Sequence, residues 1–193
     1  MKPLQQGSLD ALCGLYSIVN AIEVVGLKGP RCAFHKHLFD RLVMGLDREV
    51  LRDAVADGLG PDELITTARK AFRWLDRRYG LRLKMTVARR AAFARDAGEY
   101  LDWFDSATAD GRHAVIVSVV MPWLDHWTVA ARREGRKLIV RDSLGLQSLD
   151  LGRFTLGGGA YRIRADHTLL IARTDGGGPA HLKALQRSRD DQG

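Results

Sequence analysis

The chain has only two cysteines, Cys13 and Cys32, in 193 residues. That excludes a disulfide framework and makes a reducing compartment the default. No apolar run approaches the roughly 20 residues of a membrane span. The stretch from Met1 to Gln6 lacks the apolar run of a signal peptide. The cytoplasm is therefore the default location, with leaderless export as an effector left open. No internal repeat is present. Charge is not scarce, but it is unbalanced, at a net +7. Such a surplus suits acidic partners, whether nucleic acid, anionic lipid or acidic protein. The basic residues nevertheless read as scattered, with no dense run and no interleaving with aromatics. The surplus is thus expected to be solvated surface, and no nucleic-acid motif is present.

What is present is a change of periodicity halfway along. Helical spacing of apolar residues predicts helices over 11–26, 31–45, 47–58, 62–79 and 90–107. Gly26, Gly58, Gly60 and Gly80 serve as stop signals, and Pro61 as a helix start. A weak strand falls at 81–87. From Gly111 on, apolar runs and alternation predict strands at 113–120, 126–132, 137–142 and 147–151, then one or two more within 161–173. The fold class is α+β, helices first and then an antiparallel meander. One domain over residues 1–175 is expected, followed by a flexible basic tail at 176–193. His35 and His37 lie two apart on a predicted helix and face different sides of it. They make a poor metal pair and read as surface residues. No metal or cofactor is expected.

The most informative stretch runs from Gln5 to Ile22. Asp10 is a suitable N-cap, which makes Ala11, Leu12 and Cys13 the first helical positions. Leu15, Ile18, Val19, Ile22 and Val25 recur at helical spacing, so the helix belongs in a core. A helix's first amides have no intrahelical partner, and its dipole there favours negative charge. A cysteine at that place is expected to ionise readily. Gly14 leaves room for a substrate backbone beside the sulfur, and Gln6 could offer an amide donor. Taken alone, Cys13 would be one more buried apolar residue.

Two later elements change that reading. His126 opens one strand of a predicted hairpin and Asp142 ends the next. A loop near Arg133 to Arg136 puts the two roughly opposite each other, within reach of a carboxylate–imidazole hydrogen bond. The other ring nitrogen then faces the cysteine, which is the arrangement of an activated nucleophile. Each residue also has a plainer role open to it: a half-buried histidine, an aspartate capping the Asp142–Gly145 turn, a surface glutamine. Trp123 and Trp127 flank the histidine and wall the site or pack the core.

Three motifs carry a family resemblance. They are Gln5 to Leu9 with Asp10-Ala11-Leu12-Cys13-Gly14, then His126-Trp127-Thr128-Val129, then Arg141-Asp142-Ser143-Leu144-Gly145. In the order Cys, His, Asp, they resemble the papain-like cysteine peptidases. The double-glycine peptidase domain of bacteriocin exporters and the Josephin deubiquitinases look most similar. In the first, a proline stands where this chain has Ser143. The resemblance covers residues 5–25 and 113–155, and the stretch 31–107 lies outside it. It implies a papain-like fold with the nucleophile at a buried helix N-terminus, packed on a C-terminal antiparallel sheet. It further implies Cys13 as nucleophile, His126 as base, Asp142 as its orienter and Gln6 as oxyanion donor, with Gln5 as rival. Gly14, Trp123 and Trp127 would touch substrate. The activity implied is hydrolysis of a peptide or isopeptide bond in a protein or peptide substrate. A cysteine acyltransferase with the same triad, or an idle binding domain on that scaffold, are the alternatives. The glycine runs Gly157–Gly159 and Gly176–Gly178 read as hinges, or as sites of self-cleavage.

Overall fold

The computed structural model describes residues 10–25, 31–88, 97–156 and 158–174; the side chains of 31–33 are left aside. Gln5, Gln6, the tail at 176–193, the second glycine run, Gly157 of the first, and residues 90–96 of the helix expected at 90–107 lie outside the described residues. The elements run α1 (Cys13–Val24), α2 (Arg31–Met44), α3 (Arg48–Asp57), α4 (Pro61–Tyr79), β1 (Leu83–Val87) and α5 (Ala97–Thr108). Then come β2 (His113–Met121), β3 (Leu124–Glu134), β4 (Lys137–Arg141), β5 (Ser148–Asp150) and β6 (Arg162–Arg173). The architecture is α+β, helices followed by a six-stranded antiparallel sheet.

The sheet order is β1-β6-β2-β3-β4-β5. The expected meander holds from β2 to β5. The last strand departs from it: β6 crosses back and pairs with β2 on one side and β1 on the other. It is one strand of 12 residues, with an irregularity in its pairing to β2 between Ile116 and Ser118.

Two apolar layers flank the sheet. Ala114, Ile116, Trp127, Val129, Leu169 and Ile171 face the cluster built on α1, α2 and α4. Val115, Val117, Val119, Ala130 and Ile163 face the cluster of Tyr100, Leu101 and Phe104 on α5. A strand covered on both faces has no reason to alternate with polar residues, which explains why β2 is apolar from Ala114 to Met121 but for Ser118.

Helix α1 is the innermost helix. Leu15, Ile18, Val19 and Ile22 are wholly buried, each contributing about 1.5–3 kcal/mol by leaving water. The helix starts later than the sequence suggests. Asp10 is not its N-cap. Its Oδ1 accepts the Leu12 N–H at 3.1 Å, and the backbone N–H of Ala11 donates to the Val55 carbonyl on α3 at 3.0 Å. Residues 10–12 are thereby held in a turn, and Cys13 becomes the first helical residue. At the C-terminus of α4, Gly80 takes the left-handed conformation (φ 63°) that ends the helix cleanly.

Helix α1 also serves as a partner for the sheet. Strand β4 stops at Arg141, opposite Val129, and leaves the start of β3 uncovered on that side. The Ser17 hydroxyl donates to the Trp127 carbonyl at 2.9 Å, and the Trp127 N–H donates to Cys13 Sγ at 3.5 Å. Cys13 and Ser17 are one helical turn apart and share a face. Near the other end of the helix, the Glu23 carboxylate, buried, meets Arg141 Nη2 at 3.0 Å. Ser17→Ala should lower stability by about 1–3 kcal/mol, the cost of stripping a donor from a buried carbonyl. Denaturant unfolding measures this, and an unchanged midpoint would show that the bond carries no weight.

Candidate active site

The three residues of the expected constellation come together. His126, the third residue of β3, is 1% exposed, and Asp142, just beyond β4, is fully buried. His126 Nε2 lies 2.6 Å from Asp142 Oδ1. Burial alone would push the Asp142 carboxyl up, but the His126 contact and the backbone N–H of Leu146 outweigh it and hold its pKa low. An ionised carboxylate can only accept, so Nε2 carries the proton and donates. Asp142 uses its second oxygen differently. Oδ2 accepts from the N–H of Leu144 at 2.8 Å and of Leu146 at 3.1 Å. The turn-capping role and the histidine-orienting role are both filled, one by each oxygen.

His126 and Asp142 are not opposite each other in the hairpin, contrary to the sequence expectation. Strand β3 carries an extra residue, Ala131, between the pairs Ala130↔Val140 and Arg132↔Ile139. Continuing the ladder past Val129↔Arg141 sets Asp142 beside Thr128, two residues from His126 and on the same face, so the contact is diagonal. Without the bulge, Asp142 would fall beside Val129 and point to the other face.

The other ring nitrogen, His126 Nδ1, is buried without a hydrogen bond of normal geometry. Cys13 is close enough to act on the ring's charge. Burial disfavours the imidazolium, but the Asp142 carboxylate and the Cys13 sulfur together raise its pKa to about 9. Cys13 itself is 6% exposed. It borders a cleft of about 320 Å³ whose walls include Ala11, Gly58, Leu59, His126 and Trp127.

The other expected site residues divide. Trp127 lines the cleft and is buried, its indole N–H donating to the Leu59 carbonyl at 2.8 Å. It both packs and walls. Trp123 is 69% exposed, meets Tyr161 edge-on at 5.7 Å, and is not among the residues lining the cleft. Gly14 is buried, and a β-carbon there would come 3.0 Å from Leu64 Cδ1 and 3.5 Å from Leu59 Cβ. Its missing side chain makes room for α4 and the 58–60 segment rather than for a substrate. Gln5 and Gln6 lie outside the described residues. His35 is buried, not on the surface, whereas His37 is exposed and its ring lies tilted against Trp74 at 5.3 Å. Among the described residues no group of three His, Cys, Asp or Glu is placed to hold a metal.

Sequence reasoning missed Ser17 and the Asp57–Pro61 wall. Ser17 was recoverable from its spacing of four from Cys13. The wall was read only as punctuation; Gly58 takes φ 88° there, a conformation that favours glycine, and its neighbours shape the cleft. Arg164 and Asp125, paired at 2.6 Å, also line the cleft.

No family model matches the chain, and no curated protein matches it.

The raised pKa of His126 has a signed consequence. Its contribution to stability is fully present below the unfolded value of about 6.5 and is lost as pH rises through about 9. Asp142→Asn removes the main partner, so the ring should titrate at lower pH. NMR titration of the His126 ring in both proteins reads this directly, and equal midpoints would show that the carboxylate does not hold the proton.

Proposed function

We propose that the protein is a cysteine-type hydrolase of peptide or isopeptide bonds, with the papain-like arrangement that the sequence motifs resemble. The observation that carries the reading is the buried 2.6 Å contact of His126 Nε2 with Asp142, with the second ring nitrogen left to the Cys13 side. A histidine whose one nitrogen is fixed by a carboxylate has its tautomer set and its imidazolium stabilised. It is then equipped to exchange a proton with a sulfur at its other nitrogen.

The chemistry follows in two steps. The Cys13 sulfur, as thiolate, adds to the substrate carbonyl carbon. The resulting oxyanion lies near the start of α1, where first-turn amides lack intrahelical acceptors. When the tetrahedral species collapses, the C–N bond breaks and the proton on His126 Nδ1 passes to the leaving amine. A thioester on Cys13 remains. His126, now neutral at Nδ1, takes a proton from water as that water attacks the thioester. The carboxylic acid product leaves and the Cys13–His126 pair is restored. Asp142 stays ionised throughout and holds the ring. Trp127 and Leu59 limit water on one side of the cleft.

Activity-based labelling tests the reading. A short peptide electrophile and a ubiquitin-like protein with a C-terminal electrophile should each be offered to wild type and to Cys13→Ala. Labelling at Cys13 by at least one, absent in the variant while its fold persists, is the expected result. Asp142→Asn should slow labelling by about 100-fold or more. If iodoacetamide modifies Cys13 no faster than Cys32, the nucleophile assignment fails.

A further inference from the structure

The cations, expected to be scattered, are concentrated on α4 and the elements beside it. Residues 66–84 hold seven basic residues and one acidic residue. On α4, Arg69, Lys70, Arg73 and Arg77 follow one another at helical spacing, and all are exposed. A groove of about 180 Å³ runs along one flank, where Arg41 of α2 joins Lys70, Arg73 and Arg77. A second, of about 380 Å³, runs along the other flank, where Arg69 and Arg73 meet Arg82, just before β1, and Lys84 within it. Arg73 borders both. The one acid, Asp76, meets Arg82 at 3.5 Å. Among the described residues Arg69, Arg73 and Arg77 take part in no ion pair.

The cleft has the opposite balance. Asp10, Asp57 and Asp125 line it against Arg164, which Asp125 already holds, and His126, which Asp142 holds. An acidic stretch of polypeptide is disfavoured at the cleft and favoured on α4. The two places are joined by a rigid ruler, because α4 begins at Pro61 in the cleft wall. Arg69 to Arg77 lie roughly 12 to 24 Å along the helix from Pro61 at 1.5 Å per residue. Extended chain covers that in roughly four to seven residues.

We propose that the cationic face of α4, with its two flanking grooves, docks an acidic segment of the protein substrate a few residues from the bond placed at Cys13. The proposal rests on the hydrolase reading for its link to the cleft. Guanidinium groups suit carboxylates, which they can bind in pairs of hydrogen bonds. Single-stranded nucleic acid is the poorer fit, because it relies on exposed aromatic platforms. Trp74, the aromatic lining the first groove, is only part-exposed and packs against His37 at 5.3 Å and Tyr79 at 5.2 Å.

The test is fluorescence anisotropy with a fluorescein-labelled deca-glutamate peptide and the full-length Cys13→Ala protein. Binding is read there whether or not Cys13 is a nucleophile, so its failure is distinct from a failure to label wild-type Cys13. Arg69→Gln/Arg73→Gln/Arg77→Gln should weaken binding at least about tenfold. A control that removes the same charge from other exposed positions, Arg48→Gln/Arg112→Gln/Lys137→Gln, should change it less than about twofold. Raising salt should weaken binding too, since exposed charges are screened over about 8 Å at physiological ionic strength. No binding, equal losses in the two variants, or better binding of a ten-nucleotide single-stranded DNA than of the peptide would each overturn the proposal.

Discussion

The geometry of the site depends on how the main chain of Trp127 is satisfied. In a complete sheet the N–H and C=O of that residue would pair with a neighbouring strand. Strand β4 ends too soon, and helix α1 supplies a thiol and a hydroxyl instead. The same two contacts hold the sulfur of Cys13 against the strand that carries His126. The ion pair of Glu23 with Arg141 ties the far end of α1 to the residue just before Asp142. One helix thus sets the position of the sulfur directly, of the imidazole through β3, and of the carboxylate through β4. The burial of α1 on nearly all sides leaves little freedom for it to shift.

A second constraint is parity. Side chains alternate along a strand, so a ladder displaced by one residue reverses every face. The hairpin of β3 and β4 begins in one register and, after the bulge at Ala131, continues in another. The displaced register is the one that gives Asp142 the same face as His126. The bulge therefore decides the His126–Asp142 contact as much as the two side chains do, though it lies several residues from both.

Most helices were legible because their apolar residues recur at helical spacing. The strands were legible because a run such as Ala114 to Val120 is too apolar and β-branched to be anything else. The meeting of Cys13, His126 and Asp142 was legible from chain order and a hairpin. Its details were not. Asp10 has the chemistry of an N-cap, and nothing local says that its carboxylate will instead bond two residues on and start the helix later. Ala131 carries no mark of a bulge. Gly14 invites the idea of an open approach to the sulfur, whereas the volume it frees is occupied by Leu64, 50 residues downstream. The charge pattern misled for a related reason. Arg41 is far in sequence from the basic residues of 66–84, and only the packing of α2 beside α4 brings it to Lys70, Arg73 and Arg77.

The insertion of β6 between β1 and β2 has a consequence for how the protein is made. On a translating ribosome, β1 emerges early but has no neighbour to join until residues 162–173 have left the exit tunnel. The meander from β2 to β5 can zip up by itself, whereas the first strand must wait for the last. Nascent chains are consequently held with an unfinished sheet edge, β1 unpaired, until β6 is free to insert between the two strands.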